Sequence, residues 1–124
     1  MKILNLILVA IAAFVMGAGA LLHFADPQSL VGFIFPPLPP LPTIYLAGAV
    51  QLIIAIAVIV PKTRGLGGLA FAALCLAYMP LHIWDLFRDD PIIAPMAAAV
   101  IRVVVQVLFI WVGYVIWQRN KSQT

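Results

Sequence analysis

Four long apolar runs alternate with short segments that carry the charged residues and most of the prolines. The runs cover about residues 3–22, 43–60, 66–84 and 95–117. An α-helix needs about 20 apolar residues to cross the hydrocarbon core of a bilayer, and each run is close to that length. A backbone inside lipid must satisfy its own hydrogen bonds, and the sequence lacks the alternating pattern of a barrel. We therefore predict an all-α fold, an integral membrane four-helix bundle that forms a single domain over residues 1–124.

The first apolar run has a second interpretation as a secretory signal peptide. Lys2, the apolar stretch behind it and the small residues Ala18, Gly19 and Ala20 match the charged start, apolar centre and cleavage motif of such a signal. The apolar stretch is longer than the centre of a typical signal peptide, which spans about 7–15 residues. This length favours a membrane helix that is retained.

The composition supports the membrane class. Of the 124 residues, 65% are hydrophobic and 9% are charged, whereas a soluble domain carries about 25% charged residues. The formal net charge is +3, but Lys and Arg occur in ones and twos between apolar runs, so they form no patch for nucleic acid. The single cysteine, Cys75, lies in an apolar run and is expected to be a small packing residue.

The distribution of Lys and Arg predicts the orientation of the bundle. The first connection, residues 23–42, carries neither, and the third, residues 85–94, has one Arg against several Asp. By the positive-inside rule, both termini and the second connection lie in the cytoplasm, and we expect a bacterial-type plasma membrane. The basic residues on that side are Lys2, Lys62, Arg64, Arg119 and Lys121.

The first connection is the longest and is rich in proline. Proline disfavours helix, so we predict a long extended outer loop between the first two helices. The loop is too apolar to be fully solvated, so it lies on the membrane surface or folds over the bundle mouth as a cap or gate. Its prolines are Pro36, Pro37, Pro39, Pro40 and Pro42. In the third run, Pro80 predicts a kink or a freed carbonyl group.

Polar residues within or at the ends of the runs fall toward one end of the predicted bundle. Tyr78, His82 and Asp85 are spaced to share one face of the third helix. Arg102 and Gln106 share a face of the fourth helix. Since every helix delivers polar groups to the outer half of the bilayer, we predict an outward-facing polar pocket. The predicted pocket residues are Arg102, Gln106, Gln51, His82, Asp85, Tyr78, His23 and Asp26.

Arg102 is the most costly of these residues, because a cation near the centre of a spanning helix costs about 2.5–3.5 kcal/mol on insertion scales. We predict a counter-charge from Asp85 or Asp26, with Asp89 as a further candidate in a more solvated position. One interpretation is a structural ion pair that fixes helix register, with Gln51 and Gln106 as interhelical hydrogen bonds. The other is a binding pocket for a polar head group or a quinone ring, with no intrinsic cofactor.

The same residues limit the chemistry that the chain can perform. His23 and His82 are able to move protons, but they are too few to hold a metal ion, since no third His, Cys or close carboxylate pair completes a site. The sequence contains no Ser-His-Asp set, glutamate pair or nucleotide-binding loop. It therefore favours a protein that is not an enzyme on its own.

Several short motifs, taken in their order and spacing, are similar to those of a known family. They are Gly19 with His23, Phe24 and Pro27; Pro36, Pro37 and Pro40; Tyr45 with Gly48; Val60, Pro61, Thr63 and Arg64; Pro80; and Arg102 with Gln106. Over most of its length the chain resembles the DoxX/DoxX-like family of small four-helix membrane proteins. Two positions depart from the family pattern. Gln51 stands where Glu is common, which removes a deep carboxylate, and His82 stands where Asn is common.

The resemblance implies a place beside membrane oxidoreductases, such as thiosulfate–quinone or quinol-oxidase assemblies, or a role as a membrane chaperone or assembly factor. The leading hypothesis is an accessory subunit of a membrane redox complex, with a pocket that holds a quinone or a lipid. Its expected partners are the lipid bilayer and other membrane subunits or a second copy, and not nucleic acid. A quinone-reactive subunit with His82 or His23 as acid and base, and a purely structural scaffold, are the alternatives.

Overall fold

The computed structural model describes residues 2–89 and 96–123, and four long α-helices make up most of them. The helices are α1, Lys2–Ala25; α2, Pro40–Ile59; α3, Arg64–Phe87; and α4, Met96–Asn120. Two short 3₁₀-helices follow α1 and α4, at Pro27–Phe33 and Lys121–Gln123. The all-α prediction is confirmed. The predicted start of the fourth helix and the second half of the third connection lie outside the described residues.

The four α-helices pack as two antiparallel pairs. α1 packs mainly on α2 and α3 mainly on α4, and contacts of α2 with α3 and of α1 with α4 join the pairs. Gly68 faces Gly113 and Cys75 faces Gln106, so α3 and α4 run in opposite directions. This arrangement is compatible with the predicted four-helix bundle, in which short connections join antiparallel neighbours.

The bundle core contains large apolar side chains at some levels and glycine at others. Phe71 and Ile116 are fully buried in it. Where α3 crosses α4, a Cβ atom on Gly113 would lie 2.6 Å from the carbonyl oxygen of Gly68 and 2.7 Å from the backbone nitrogen of Ala72. Small residues at such crossings allow helix backbones to approach closely, which favours van der Waals contact.

The outer surface of the bundle is strongly apolar. Ile3 is 75% exposed, Phe14 is 76% exposed and Leu46 is 67% exposed. Soluble monomers rarely expose contiguous apolar surface on this scale. All four α-helices are long and apolar enough to cross a membrane by length and composition. The surface and the helix lengths together indicate a membrane location.

Two prolines that the sequence analysis placed in the extended loop lie in a helix instead. Pro40 and Pro42 occupy the first turn of α2, which begins directly after Pro39. Proline is accepted there because the first N–H groups of a helix have no intrahelical partner. The prediction that these two residues exclude helix was therefore wrong. Pro80 lies inside α3, and the helix continues through it.

A pair of asparagines joins α1 to α4 at the end of the bundle where α1 begins. Asn5 Nδ2 donates to Asn120 Oδ1 over 3.1 Å, and Asn120 Nδ2 donates to Asn5 Oδ1 over 2.9 Å. Interhelical hydrogen bonds of this kind contribute about 0.6 kcal/mol each in membrane proteins. This pair was not predicted from the sequence. Its signal was that the chain's two asparagines fall at the same predicted end.

Candidate functional site

A cavity of about 550 Å³ lies between the four α-helices, toward the end of the bundle opposite the asparagine pair. Most of its wall is apolar. The segment between α1 and α2, residues 27–38, closes one side and is called the cover below; its cavity-lining side chains are Leu30, Phe33, Ile34, Phe35 and Leu38. Of the eight predicted pocket residues, six line the cavity, namely His23, Gln51, Tyr78, His82, Arg102 and Gln106.

Gln51 on α2 is the centre of a hydrogen-bond network that joins three helices. Its side chain is buried, and Nε2 donates to Tyr78 Oη over 3.0 Å and to His23 Nε2 over 3.4 Å. His23 Nδ1 lies 2.6 Å from the carbonyl oxygen of Gly19. A carbonyl only accepts, so Nδ1 carries the ring hydrogen and Nε2 is the acceptor for Gln51. The Tyr78 hydroxyl accepts a hydrogen bond in this network, so its own hydrogen is available for donation to a group in the cavity.

Two glycines allow α1 and α2 to approach at the level of this network. A Cβ atom on Gly19 would overlap Gln51 Oε1, and one on Gly48 would lie 2.7 Å from His23 Cβ. Gly19 is therefore a positioning residue for the Gln51 amide. Gly19 stood out in the sequence as part of a possible cleavage motif and of a family motif, but its contact with Gln51 could not be predicted, because it depends on the register of α1 against α2.

Gln106 and Arg102 form the polar wall that α4 contributes. Gln106 is 1% exposed, and its Nε2 donates to the carbonyl oxygen of Cys75 over 2.9 Å. Its Oε1 is buried and has no hydrogen-bond partner among the described residues. The guanidinium carbon of Arg102 lies 5.8 Å from the ring centroid of Phe109, within the range of a cation–π contact. This wall offers guanidinium donors and one unused acceptor.

Arg102 has no carboxylate within 4.0 Å in the part of the chain that the structure describes. Asp85, one predicted counter-charge, is 1% exposed and pairs with Arg88 over 3.7 Å. Asp26, the other, is exposed at the end of α1, and neither aspartate lines the cavity. The predicted ion pair of Arg102 was therefore wrong. The physical reason is that Arg88, three residues along the chain, reaches Asp85 without crossing the bundle.

His82 on α3 lines the cavity and lies next to the cover. Its ring centroid is 6.1 Å from that of Phe33, with the two rings edge to face. Its Nδ1 atom is buried and has no hydrogen-bond partner within the described residues. A buried polar atom that the protein does not satisfy is a candidate contact for a ligand or an ordered water.

Contacts with the last turn of α3 hold the cover over the cavity. Arg88 Nη1 donates to the carbonyl oxygen of Gly32 over 2.9 Å, and the guanidinium carbon lies 4.4 Å from the ring centroid of Trp84. The same Trp84 ring packs against Phe35, with centroids 4.6 Å apart. Because Arg88 also pairs with the buried Asp85, it fastens the cover to α3 through a charged anchor. We call Arg88, Trp84 and Phe35 the latch.

Arg88→Ala is expected to increase the labelling rate of Cys75 by a membrane-permeant maleimide about 10-fold. Cys75 is the single cysteine, is 1% exposed and lines the cavity, so opening of the cover should increase the access of the reagent to its thiol. Loss of the Gly32 hydrogen bond and the Asp85 ion pair lowers the free energy of opening by about 1–2 kcal/mol. Lys62→Ala, an exposed cation at the other end of the bundle, is the control. Equal labelling rates in the two variants would mean that Arg88 does not hold the cover closed.

Arg102 and the Tyr78 hydroxyl bring hydrogen-bond donors to the cavity, and Gln106 Oε1 is a buried acceptor without a partner among the described residues. No group of three or more His, Cys, Asp or Glu side chains that could hold a metal ion occurs among the described residues.

Comparison with known proteins gives one match. A family model described as a domain of unknown function (DUF8561) matches residues 11–116. The matched range includes every residue that lines the cavity. No curated protein and no solved structure matches the chain.

Proposed function

We propose that this chain, which belongs to the DUF8561 family, binds an amphiphilic small molecule, a quinone or a lipid, in the cavity between its helices. One observation carries the proposal. In an otherwise apolar cavity, the described residues leave Arg102 without a carboxylate partner and the buried Gln106 Oε1 without a hydrogen-bond partner. Polar groups at a cavity that the protein leaves unsatisfied are typical of sites where a ligand or an ordered water supplies the missing contacts.

The cavity suits both ligand classes in size and in chemistry. Its volume of about 550 Å³ lies within the range of about 300–1,000 Å³ for small-molecule pockets. Quinone carbonyls and lipid head-group oxygens accept hydrogen bonds, which Arg102 and the Tyr78 hydroxyl donate. The apolar wall packs against the ring or the hydrocarbon chain.

The proposed setting is a bacterial-type plasma membrane with both termini in the cytoplasm. Four helices of spanning length and apolar composition support it. The cluster of Lys and Arg at the end where α1 begins supports the orientation, because cytoplasmic segments carry an excess of these residues. In this orientation the cavity and its cover lie in the outer half of the bilayer, where a lipid or quinone enters from the outer leaflet.

An accessory role in a membrane redox complex is the proposed context for this binding. The resemblance to DoxX-like proteins supports it, and the exposed apolar faces of the helices offer contact surface for other membrane subunits or a second copy. If the cavity holds no ligand, the accessory role is that of a scaffold or an assembly factor. Recovery of membrane subunits in a native pull-down, identified by mass spectrometry, tests this context.

A quinone-reactive subunit is a second candidate, and the position of His82 favours it. This imidazole lines the cavity and its Nδ1 has no hydrogen-bond partner in the described chain. A histidine placed beside a quinone carbonyl is able to donate or accept the proton that accompanies reduction. Unchanged quinone reduction by His82→Ala, assayed with the donor partner, would remove His82 from that mechanism.

Ala47→Phe is expected to lower the amount of quinone and lipid that co-purifies with the protein about 10-fold. Ala47 lines the cavity from α2, so a phenyl ring there occupies the space of the ligand and removes its contacts. The measurement is mass spectrometry of molecules extracted from protein that was purified in polymer-bounded membrane discs.

Ala73→Phe is the matched control for this experiment. Ala73 is exposed on α3 and does not line the cavity, so the same substitution there should leave the extracted amounts unchanged. If Ala47→Phe retains as much bound quinone and lipid as Ala73→Phe, the cavity is not the binding site.

A further inference from the structure

We propose that the ligand is a monoanionic, single-chain amphiphile whose carboxylate head group binds Arg102, and not a neutral quinone. This inference rests on the proposed function and selects between the two ligand classes named there. The charge balance of the cavity wall carries it.

The wall has a permanent positive charge and, among the described residues, no negative charge. Arg102 is the cation, and no Asp or Glu is found among the lining residues. Asp85 is paired with Arg88 outside the lining. A guanidinium does not lose its proton in proteins, so the charge persists. A cation that has no counter-charge in apolar surroundings has a large cost in free energy. A ligand with a charge of −1 makes the cavity neutral without any change in the side chains.

The donors of the wall are of the kind that a carboxylate binds best. A guanidinium presents N–H groups as a planar fork that fits the two oxygens of one carboxylate, and such charge-assisted pairs are about twice as strong as neutral hydrogen bonds. The Tyr78 hydroxyl, which accepts from Gln51 over 3.0 Å, has a hydrogen for a further bond to the same head group. A quinone carbonyl accepts these hydrogen bonds but leaves the positive charge uncompensated.

The remaining wall favours a ligand with a hydrocarbon chain over a small ion. Leu22, Ile44 and Leu81 line the cavity from three different helices, and apolar side chains of the cover close it. A small anion such as acetate neutralises Arg102 but leaves most of the 550 Å³ unfilled. A chain that packs against this wall gains the affinity of apolar burial, which a small ion does not obtain.

The test compares palmitate, hexadecanol, acetate and decylubiquinone as radiolabelled probes in a scintillation-proximity binding assay. The full chain is held in nanodiscs of zwitterionic lipid at mildly alkaline pH, and empty nanodiscs give the background from partitioning. Wild type is expected to bind palmitate about 10–100-fold more tightly than hexadecanol. Arg102→Gln is expected to abolish this preference. Arg102→Lys should retain part of it, because the ammonium keeps the charge but not the fork. Lys62→Gln, with the same charge change at the far end of the bundle, should behave as wild type.

Each outcome decides a separate part of the inference. Equal wild-type affinity for palmitate and hexadecanol overturns the anionic head group and leaves the proposed function standing. Equal affinity for acetate and palmitate would show that a hydrocarbon chain adds nothing to binding, which contradicts the proposed single-chain amphiphile. Tighter binding of decylubiquinone than of palmitate, insensitive to Arg102→Gln, assigns the neutral quinone instead. If folded wild type binds none of these probes, the proposed function fails as well. The wild-type preference decides the result even if Arg102→Gln does not fold.

Discussion

Gly113→Ala is expected to lower the free energy of unfolding by about 3 kcal/mol. The new Cβ atom would lie 2.6 Å from the carbonyl oxygen of Gly68, 2.7 Å from the backbone nitrogen of Ala72 and 2.9 Å from its Cβ. Backbone atoms cannot rotate away as a flexible side chain does. The substitution therefore forces α3 and α4 apart along the most extensive helix contact of the bundle. Equilibrium unfolding of the protein in mixed lipid–detergent micelles, followed by tryptophan fluorescence, measures the loss.

Gly17→Ala is the matched control, because no heavy atom lies within 4 Å of the Cβ that it adds. Both substitutions replace a helical glycine, and each gains about 1 kcal/mol of helix propensity. Gly17→Ala should therefore leave stability unchanged or raise it by up to about 1 kcal/mol. The two variants are expected to differ by about 3–4 kcal/mol. Equal stability would mean that α3 and α4 do not cross at Gly68 and Gly113.

The helices could be predicted from the sequence because their signal is local. A run of about 20 apolar residues fixes the helix regardless of the rest of the fold, and each described helix end lies within three residues of the predicted one. Pro40 and Pro42 were misjudged because proline forbids only the interior of a helix. Whether a proline falls in the interior or in the first turn depends on where the helix begins.

Most of the polar residues that line the cavity were also predictable, since spacing along a helix determines which side chains share a face. Tyr78 with His82 and Arg102 with Gln106 line the cavity as such pairs. The partner of Arg102 was not predictable. A helix that is apolar on all sides has no solvent face to reveal its rotation, so contacts between helices do not follow from the pattern.

The close helix contacts depend on register in the same way. Spacing does not say which glycine of α1 lies opposite Gln51, or that Gly68 and Gly113 meet. The asparagine pair at the far end of the bundle shows the same limit, because two polar residues at one level become a contact only when their helices turn them toward each other. Sequence reasoning therefore found the polar groups of the site but not the small residues that position them.

Gly19→Ala is expected to lower the free energy of unfolding by about 2 kcal/mol, because the new Cβ atom overlaps Gln51 Oε1 and displaces the amide from its hydrogen-bond partners. Gln51 lines the cavity, so its amide can move away from residue 19. That movement breaks its hydrogen bonds to Tyr78 and His23 and leaves these half-buried groups without their donor. Gly17→Ala, two residues earlier on α1, is again the control for the gain in helix propensity.

A double-mutant cycle separates this specific clash from a general loss of packing. Gln51→Ala alone loses the two amide hydrogen bonds and is expected to cost about 1–2 kcal/mol. In Gly19→Ala/Gln51→Ala the amide that collides with residue 19 is gone, so the double variant should be more stable than the sum of the single effects predicts. We expect a coupling energy of about 1–2 kcal/mol, measured by equilibrium unfolding in mixed micelles. Additive effects would contradict the contact between Gly19 and Gln51, and with it the role of Gly19 in holding the Gln51 amide against Tyr78 and His23.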